Sequence, residues 1–270
     1  MLKRSPLAIL LIGSLISLQA MATQTTVTTP TSATDAVPFT SAQEARIGEI
    51  AKEYLLAHPE VLVQVSQKLQ AQAQEKQVTA LTTGVLATQD MLLNDKGTPT
   101  IGPKDAKVVL IEFFDYQCSV CAQQAPVVEA LMKANPQVRY VFKEWPIFGS
   151  RWESSMHAAE TGIQIWQQKG ADAYLAYHNA VYATGHDEGQ LTLADIKKSA
   201  TPAGPLKDQK ANADSTLTQI DALAQTLGLR GTPGLIVMPV SGATAKNVTV
   251  IPGGTSLENL QSAIEKAAGQ

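Results

Sequence analysis

A nearly unbroken apolar, β-branched run over residues 106–114 leads directly into Asp115-Tyr116-Gln117-Cys118-Ser119-Val120-Cys121. Such a run reads as a strand buried on both faces, which requires helices packed against both sides of a sheet. Beyond it, Ala125, Val128, Leu131 and Met132 recur at roughly helical spacing over 121–134, with Pro126 as an expected kink in the first turns. A second strand pattern follows over 137–145. Strand, turn, helix and strand in that order read as a βαβ unit, so the expected class is α/β, with the two cysteines at the strand-to-helix turn.

That location favours sulfur chemistry. The first turn of a helix carries amide N–H groups without intrahelical partners and the positive end of the macrodipole, and both stabilise a thiolate. Cys118 is the expected nucleophile and leaving group; Cys121, one turn further in, is placed to attack a mixed disulfide at Cys118 and release the partner. Zinc needs about four ligands, and His58, His157, His178 and His186 form no close pair that would complete a site with two cysteines. An inert disulfide across so short a loop would gain little chain entropy. Copper(I) bound by two soft thiolates is the alternative from another functional class: a periplasmic metal-handling protein using the same pair. A vestigial, adhesive surface antigen is a third.

The N-terminus has Lys3 and Arg4, an apolar stretch from Leu7 to Leu18, and then Ala20-Met21-Ala22. This reads as a signal peptide over 1–22, since a dozen apolar residues are too few to cross a roughly 30 Å hydrocarbon core; an uncleaved anchor is the competing reading. Export would bring the cysteines into an oxidising compartment, the periplasm. Residues 23–40 are Thr-rich, with Pro30 and Pro38, and read as a flexible linker. With 21 basic and 24 acidic residues the chain shows no footprint for nucleic acid.

From Ser41 the pattern is helical: Ser41 and Glu44 have capping-box spacing, and Ile47, Ile50 and Tyr54 share a face. His58-Pro59 interrupts the helix, Val61, Leu62, Val65 and Leu69 continue a stripe, and a third amphipathic stretch covers about 78–93. Twelve of the 14 aromatic residues lie between Phe113 and Tyr182. The segment 41–98 therefore lacks material for its own thick core. It is expected either to meet a partner chain, as a helical oligomerisation segment, or to pack back on its own domain.

Glu112-Phe113-Phe114-Asp115-Tyr116-Gln117-Cys118-Ser119-Val120-Cys121, followed by 141–149 and by Gly231-Thr232-Pro233-Gly234, resembles the exported thiol-disulfide oxidoreductases of the DsbA type. The resemblance covers about 100–268. With His58-Pro59-Glu60-Val61-Leu62, it is strongest to the subgroup with N-terminal oligomerisation helices, which includes the suppressor-of-copper-sensitivity protein ScsC. It implies a thioredoxin fold over 99–268 with a helical insertion at about 150–228, preceded by amphipathic helices.

The resemblance also implies roles. Thr232-Pro233 matches the pair opposite the cysteines, with the proline bond cis and the Thr232 backbone free to pair with an extended substrate. Glu112 matches the family's buried acid, which accepts or relays the proton of Cys121; the bland alternative is a strand residue turned to solvent. Ser119-Val120 departs from the Pro-His pair of the best-known oxidant in the family. Valine offers neither charge nor hydrogen bond and Ser119 one hydroxyl at most, so a weaker thiolate and a less oxidising disulfide are expected.

No dissociable cofactor or metal is implied. The implied partners are unfolded or wrongly disulfide-bonded exported proteins, a membrane redox partner of the DsbB or DsbD type, and further copies of the chain, as a homodimer or homotrimer through 41–98. In the insertion, Met156, Ile163, Trp166, Tyr174, Tyr177 and Tyr182 read as core, and His157, His178 and His186 as surface or cap residues. Strands over 235–238 and 248–251 and a helix over 256–267 complete the pattern.

Overall fold

The computed structural model describes residues 39–269. The expected signal peptide at 1–22 and nearly all of the Thr-rich linker lie outside the described residues. Among the described residues, no helix is long and apolar enough to cross a membrane.

The chain divides into two compact units within one helix, between Leu62 and Val63. In the first unit, α1 spans Ser41–Ala57 and begins with a capping box, but the cap is Thr40 paired with Gln43, one residue before the expected Ser41–Glu44 pair. Thr40 has the extended backbone that a cap requires, whereas Ser41 is already helical. No α1 residue is buried, and Ile47, Ile50, Tyr54 and Leu56 are exposed. Helix α2 (Glu60–Ala87) starts just after Pro59 and continues through the expected third stretch, leaving α3 (Gln89–Leu93) as a short turn of helix after Thr88.

The second unit is built on a five-stranded sheet in the order β1-β3-β2-β4-β5, from β1 (Thr100–Ile101), β2 (Val108–Phe114), β3 (Arg139–Glu144), β4 (Gly234–Pro239) and β5 (Thr249–Pro252). β2 and β3 run parallel across α4 (Ser119–Ala134), while β4 and β5 add antiparallel strands and the edge strand β1 closes the other side. This is the expected thioredoxin fold. The helical insertion is also present, as α5 (Glu153–Lys169), α6 (Ala171–Tyr182), α7 (Leu193–Ala200) and α8 (Lys210–Leu227); α9 (Leu257–Ala268) ends the fold. Pro126 lies inside α4 without ending it.

All seven residues of β2 are buried, and their alternation sorts them between two cores. Val108, Leu110 and Phe114 pack with Cys121, Val128 and Leu131 of α4 and with α9. Val109, Ile111 and Phe113 pack with Leu81 and Val85 of α2, Leu92 of α3, and Ile220, Leu223 and Leu227 of α8. The boundary expected at 98 therefore falls after residues that pack on the sheet: the end of α2 and all of α3 share the core of the second unit, where Leu81, Val85 and Leu92 join α8 on the second sheet face. The connecting loop is tied down as well, since the fully buried Lys143 ammonium donates to Asp95 (2.8 Å) and Thr98 (3.0 Å).

Two insertion expectations change. Met156 is exposed rather than core, and Trp166 and Tyr182 are only partly buried, whereas Ile163, Tyr174 and Tyr177 are fully buried. His178 belongs to the cap, on α6, and within it is an interior group rather than a surface one. Its ring packs against Phe114 and Phe142 and meets the Tyr116 hydroxyl at 3.3 Å, and burial depresses its pKa to about 3, so the imidazole stays neutral.

If residues 78–93 complete the core, Leu81→Ala should cost about 2–5 kcal/mol in urea unfolding of the intact chain. The exposed Leu193→Ala should change stability little by comparison. Equal, small effects of the two would return residues 78–93 to a separate segment.

Candidate functional site

The site lies where β2 ends and α4 begins. Cys118 is the N-cap of α4, with extended backbone; its carbonyl accepts the first intrahelical bond from the Ala122 N–H (2.9 Å). The turn before it is fixed by Asp115, whose buried carboxylate accepts from the Gln117 N–H (2.8 Å), the Phe148 N–H (2.9 Å) and the Ser155 hydroxyl (2.8 Å). Burial still outweighs these bonds and raises the Asp115 pKa. Gln117, fully buried, reaches the other way: its amide donates to the Ser154 hydroxyl and its carbonyl accepts from the Gly189 N–H (2.7 Å). Asp115 and Gln117 thus brace the cysteine turn against the insertion. A lone Asp or Gln carries no local signal for such a role in the sequence.

The two sulfurs have opposite environments. Both are free thiols in this structure. The Cys118 pKa falls to about 6, chiefly because the Cys121 thiol donates to its sulfur; Thr232 and the Cys121 and Val120 amides add to this against the effect of burial. Cys121 is completely buried, and burial, together with the neighbouring Cys118, pushes its thiol well above its ordinary value. Cys118 is itself 5% exposed, so the difference expected from the spacing lies in electrostatics: an acidified thiol at the helix start and a protonated partner one turn further in.

Opposite the pair, the Thr232–Pro233 peptide is cis, as the resemblance implies. The Cys118 thiol donates to the Thr232 carbonyl at 3.3 Å. The Thr232 hydroxyl is buried without a hydrogen-bond partner, which leaves it free to donate to the sulfur once Cys118 has lost its proton. The Gly253 N–H donates to the Pro233 carbonyl (2.8 Å) and ties this loop to the end of β5.

Glu112 is buried, on the β2 face that packs on α4, so the solvent-facing alternative does not hold. Period-2 alternation puts it with Leu110 and Phe114, the residues that share a core with Cys121. Burial raises its pKa to about 8, and its Oε2 has no hydrogen-bond partner. A neutral acid of this kind can hand over a proton near neutral pH.

The one hydrogen bond that Ser119 could offer goes elsewhere: its hydroxyl donates to Glu188 (3.1 Å) instead of to the Cys118 sulfur, and Val120 is 41% exposed. Of the other histidines, His186 meets Asp195 at 3.0 Å on the insertion surface and His157 lies 3.7 Å from Glu160.

A helix-capped CxxC with one acidified and one buried thiol, facing a cis-proline loop on a thioredoxin sheet, defines a thiol-disulfide oxidoreductase-like protein. Residues 94–250 match the thioredoxin family model, and residues 43–76 match the N-terminal domain of the copper resistance protein ScsC. Among solved structures, BcfH of Salmonella enterica Typhimurium is 42% identical, with a TM-score of 0.70 over 84% of this chain and 96% of its own. Proteus mirabilis ScsC in a transitional conformation is 27% identical, with a TM-score of 0.59 over 86% of this chain and 100% of its own. Disulfide bond formation protein D of Bacillus subtilis is 25% identical over 185 residues, which are 63% of this chain and 77% of that protein. The chain belongs to the thioredoxin family, in the DsbA-like branch that includes ScsC.

Removing the Thr232 hydroxyl in Thr232→Val should raise the Cys118 pKa above about 6, read from the pH dependence of its alkylation. Glu112, at about 8 when folded against 4.5 ordinarily, favours the folded state fully below pH 4.5, and this is lost as pH rises through 8. Glu112→Gln should therefore gain stability over the native chain as pH rises across that window, by on the order of a few kcal/mol in urea unfolding. A gap independent of pH would contradict the assigned burial.

Proposed function

We propose that this chain is an exported enzyme that forms and isomerises disulfides in other proteins through the Cys118–Cys121 pair. The observation that carries this reading is the split between the two sulfurs: one thiol acidified to about 6 at the helix start, the other buried and held protonated.

In the oxidising direction, a substrate thiolate attacks the Cys118 sulfur of the Cys118–Cys121 disulfide. The S–S bond breaks, its electron pair goes to Cys121, and that sulfur takes up a proton, for which Glu112 is the nearby neutral acid. A second substrate thiolate then attacks the substrate sulfur of the mixed disulfide and expels Cys118 as a thiolate, the better leaving group of the two. The substrate loses two electrons, which the pair gains; of the two protons its thiols release on ionising, one is made good on Cys121 through Glu112 and the other stays in solvent, because Cys118 leaves as a thiolate. In isomerisation, the Cys118 thiolate attacks a wrong substrate disulfide, the released substrate thiolate attacks elsewhere, and Cys121 rescues stalled intermediates. In both directions an extended substrate segment pairs with the Thr232 backbone.

With neither Ser119 nor Val120 donating to Cys118 from its side chain, the disulfide is a weaker oxidant than one with Pro-His between its cysteines, which favours shuffling as much as net oxidation. The apolar residues left exposed on α1 and the start of α2, including Leu62, Val65 and Leu69, support a homodimer or homotrimer through the segment before about residue 78. The leader pattern at 1–22 supports the periplasm as its location. Substrates would then be unfolded or wrongly bonded exported proteins, with the pair recharged by a membrane partner of the DsbB or DsbD type.

The test uses the intact, reduced chain with a model protein that carries scrambled disulfides. Cys121→Ala should trap a mixed disulfide at Cys118, and Cys118→Ala should trap none. Stoichiometric copper(I) binding that needs both thiols equally, with no trapped intermediate, would favour a metal-handling protein instead.

A further inference from the structure

The loop between α6 and α7 touches the start of the active helix in a way that thiol exchange does not itself require. Glu188 has a φ of 46°, the one non-glycine left-handed backbone among the described residues. A glutamate gains nothing locally from that conformation, which costs about 1 kcal/mol or more and persists only where surrounding bonds fix it. They do so here. The Glu188 N–H donates to the Gln117 carbonyl (3.0 Å), and the next N–H, of Gly189, donates to the Gln117 side chain (2.7 Å). Gly189 is itself left-handed and lies so close to Trp152 that a β-carbon would meet the indole Nε1 at 2.7 Å. The loop is thus clamped on both sides of Glu188, and the clamp delivers one carboxylate oxygen to the α4 start: it accepts from the Ser119 N–H (3.3 Å) and from the Ser119 hydroxyl (3.1 Å).

The first turn of α4 offers three amides ahead of the first intrahelical bond, those of Ser119, Val120 and Cys121. The last two act on the Cys118 sulfur. The first is taken by Glu188. A negative charge there competes with the thiolate for the positive end of the helix. The other ionisable groups near the pair are Glu112, with Asp115 before the helix and Tyr182 from α6, all buried or partly so. Glu188 instead comes from an exposed loop of the insertion.

We propose that Glu188 is a positioning residue that weakens the oxidising power of the pair. Its carboxylate occupies the Ser119 amide and sets a negative charge at the first turn of α4, one residue past Cys118, so the thiolate is held less tightly and the disulfide is favoured. The inference rests on thiol exchange at Cys118 as proposed above, and it adds that the insertion tunes this exchange.

The experiment compares the full chain with Glu188→Gln, which keeps the acceptor and removes the charge, and with Glu188→Lys. Two quantities are read: the Cys118 pKa from alkylation rates, and the equilibrium constant for reduction of the disulfide by glutathione. Glu188→Gln should lower the pKa by a few tenths of a unit and raise the constant roughly two- to fivefold, ~10–20 mV towards a stronger oxidant. Glu188→Lys should move both further in the same direction, and about 1 M salt should shrink both shifts. Variants that match the native chain in both quantities, move the opposite way, or change only urea stability would overturn the role of Glu188. If the native chain shows no acidic Cys118 and no equilibrium with glutathione, thiol exchange itself fails instead, and the two failures are told apart on the native protein alone.

Discussion

The unpaired amides at the start of α4 are the constraint on which the rest of the site depends. A helix must begin somewhere, and its first N–H groups must find acceptors. Here a carboxylate takes the first of them, and the Val120 and Cys121 amides act on the Cys118 sulfur without closing a side-chain cap bond to it. They favour that sulfur as an anion. They add to the acidity that the Cys121 thiol chiefly confers, which makes Cys118 the preferred leaving group whenever a mixed disulfide is resolved. Cys121 contributes by staying protonated, which its complete burial ensures.

The surrounding fold keeps that arrangement rigid. β2 places Asp115 at its end, and the bonds from Asp115 to Phe148 and Ser155 join the cysteine turn to the chain leaving β3 and to α5. Gln117 joins it to the loop after α6. The cis Thr232–Pro233 peptide reaches the opposite side of the sulfur from just before β4, a neighbour of β2 in the sheet. Separate parts of the sequence converge on one sulfur, and each is anchored in a core on one or other face of the sheet.

Much of this is legible in the sequence. The buried strand, the CxxC at its end and the helix beyond it follow from β-branched and helical periodicity, and the closing strands and helix lie within a residue or two of where their patterns place them. The resemblance supplies the cis-proline pair and the buried acid, which no local pattern distinguishes from an ordinary turn and a surface strand residue. Contacts made across long sequence separations are not legible. Nothing in the stretch 78–93 says that Leu81, Val85 and Leu92 cover the second face of the sheet, because an amphipathic stripe does not name the surface it meets. His178, buried among aromatic rings, and Glu188, which reaches Ser119 from 69 residues away, depend on the path of the insertion in the same way.

The central claim is that two cysteines three positions apart are made chemically unlike by a helix start and a core. The most direct test is to follow the alkylation of each cysteine separately across pH in the reduced, full-length protein, resolving the two sites by peptide mass. Cys118 should titrate near 6, with Cys121 unreactive until well above its ordinary value of 9.0. If the two titrate together near 9, the geometry has not separated them, and the account of the site is wrong.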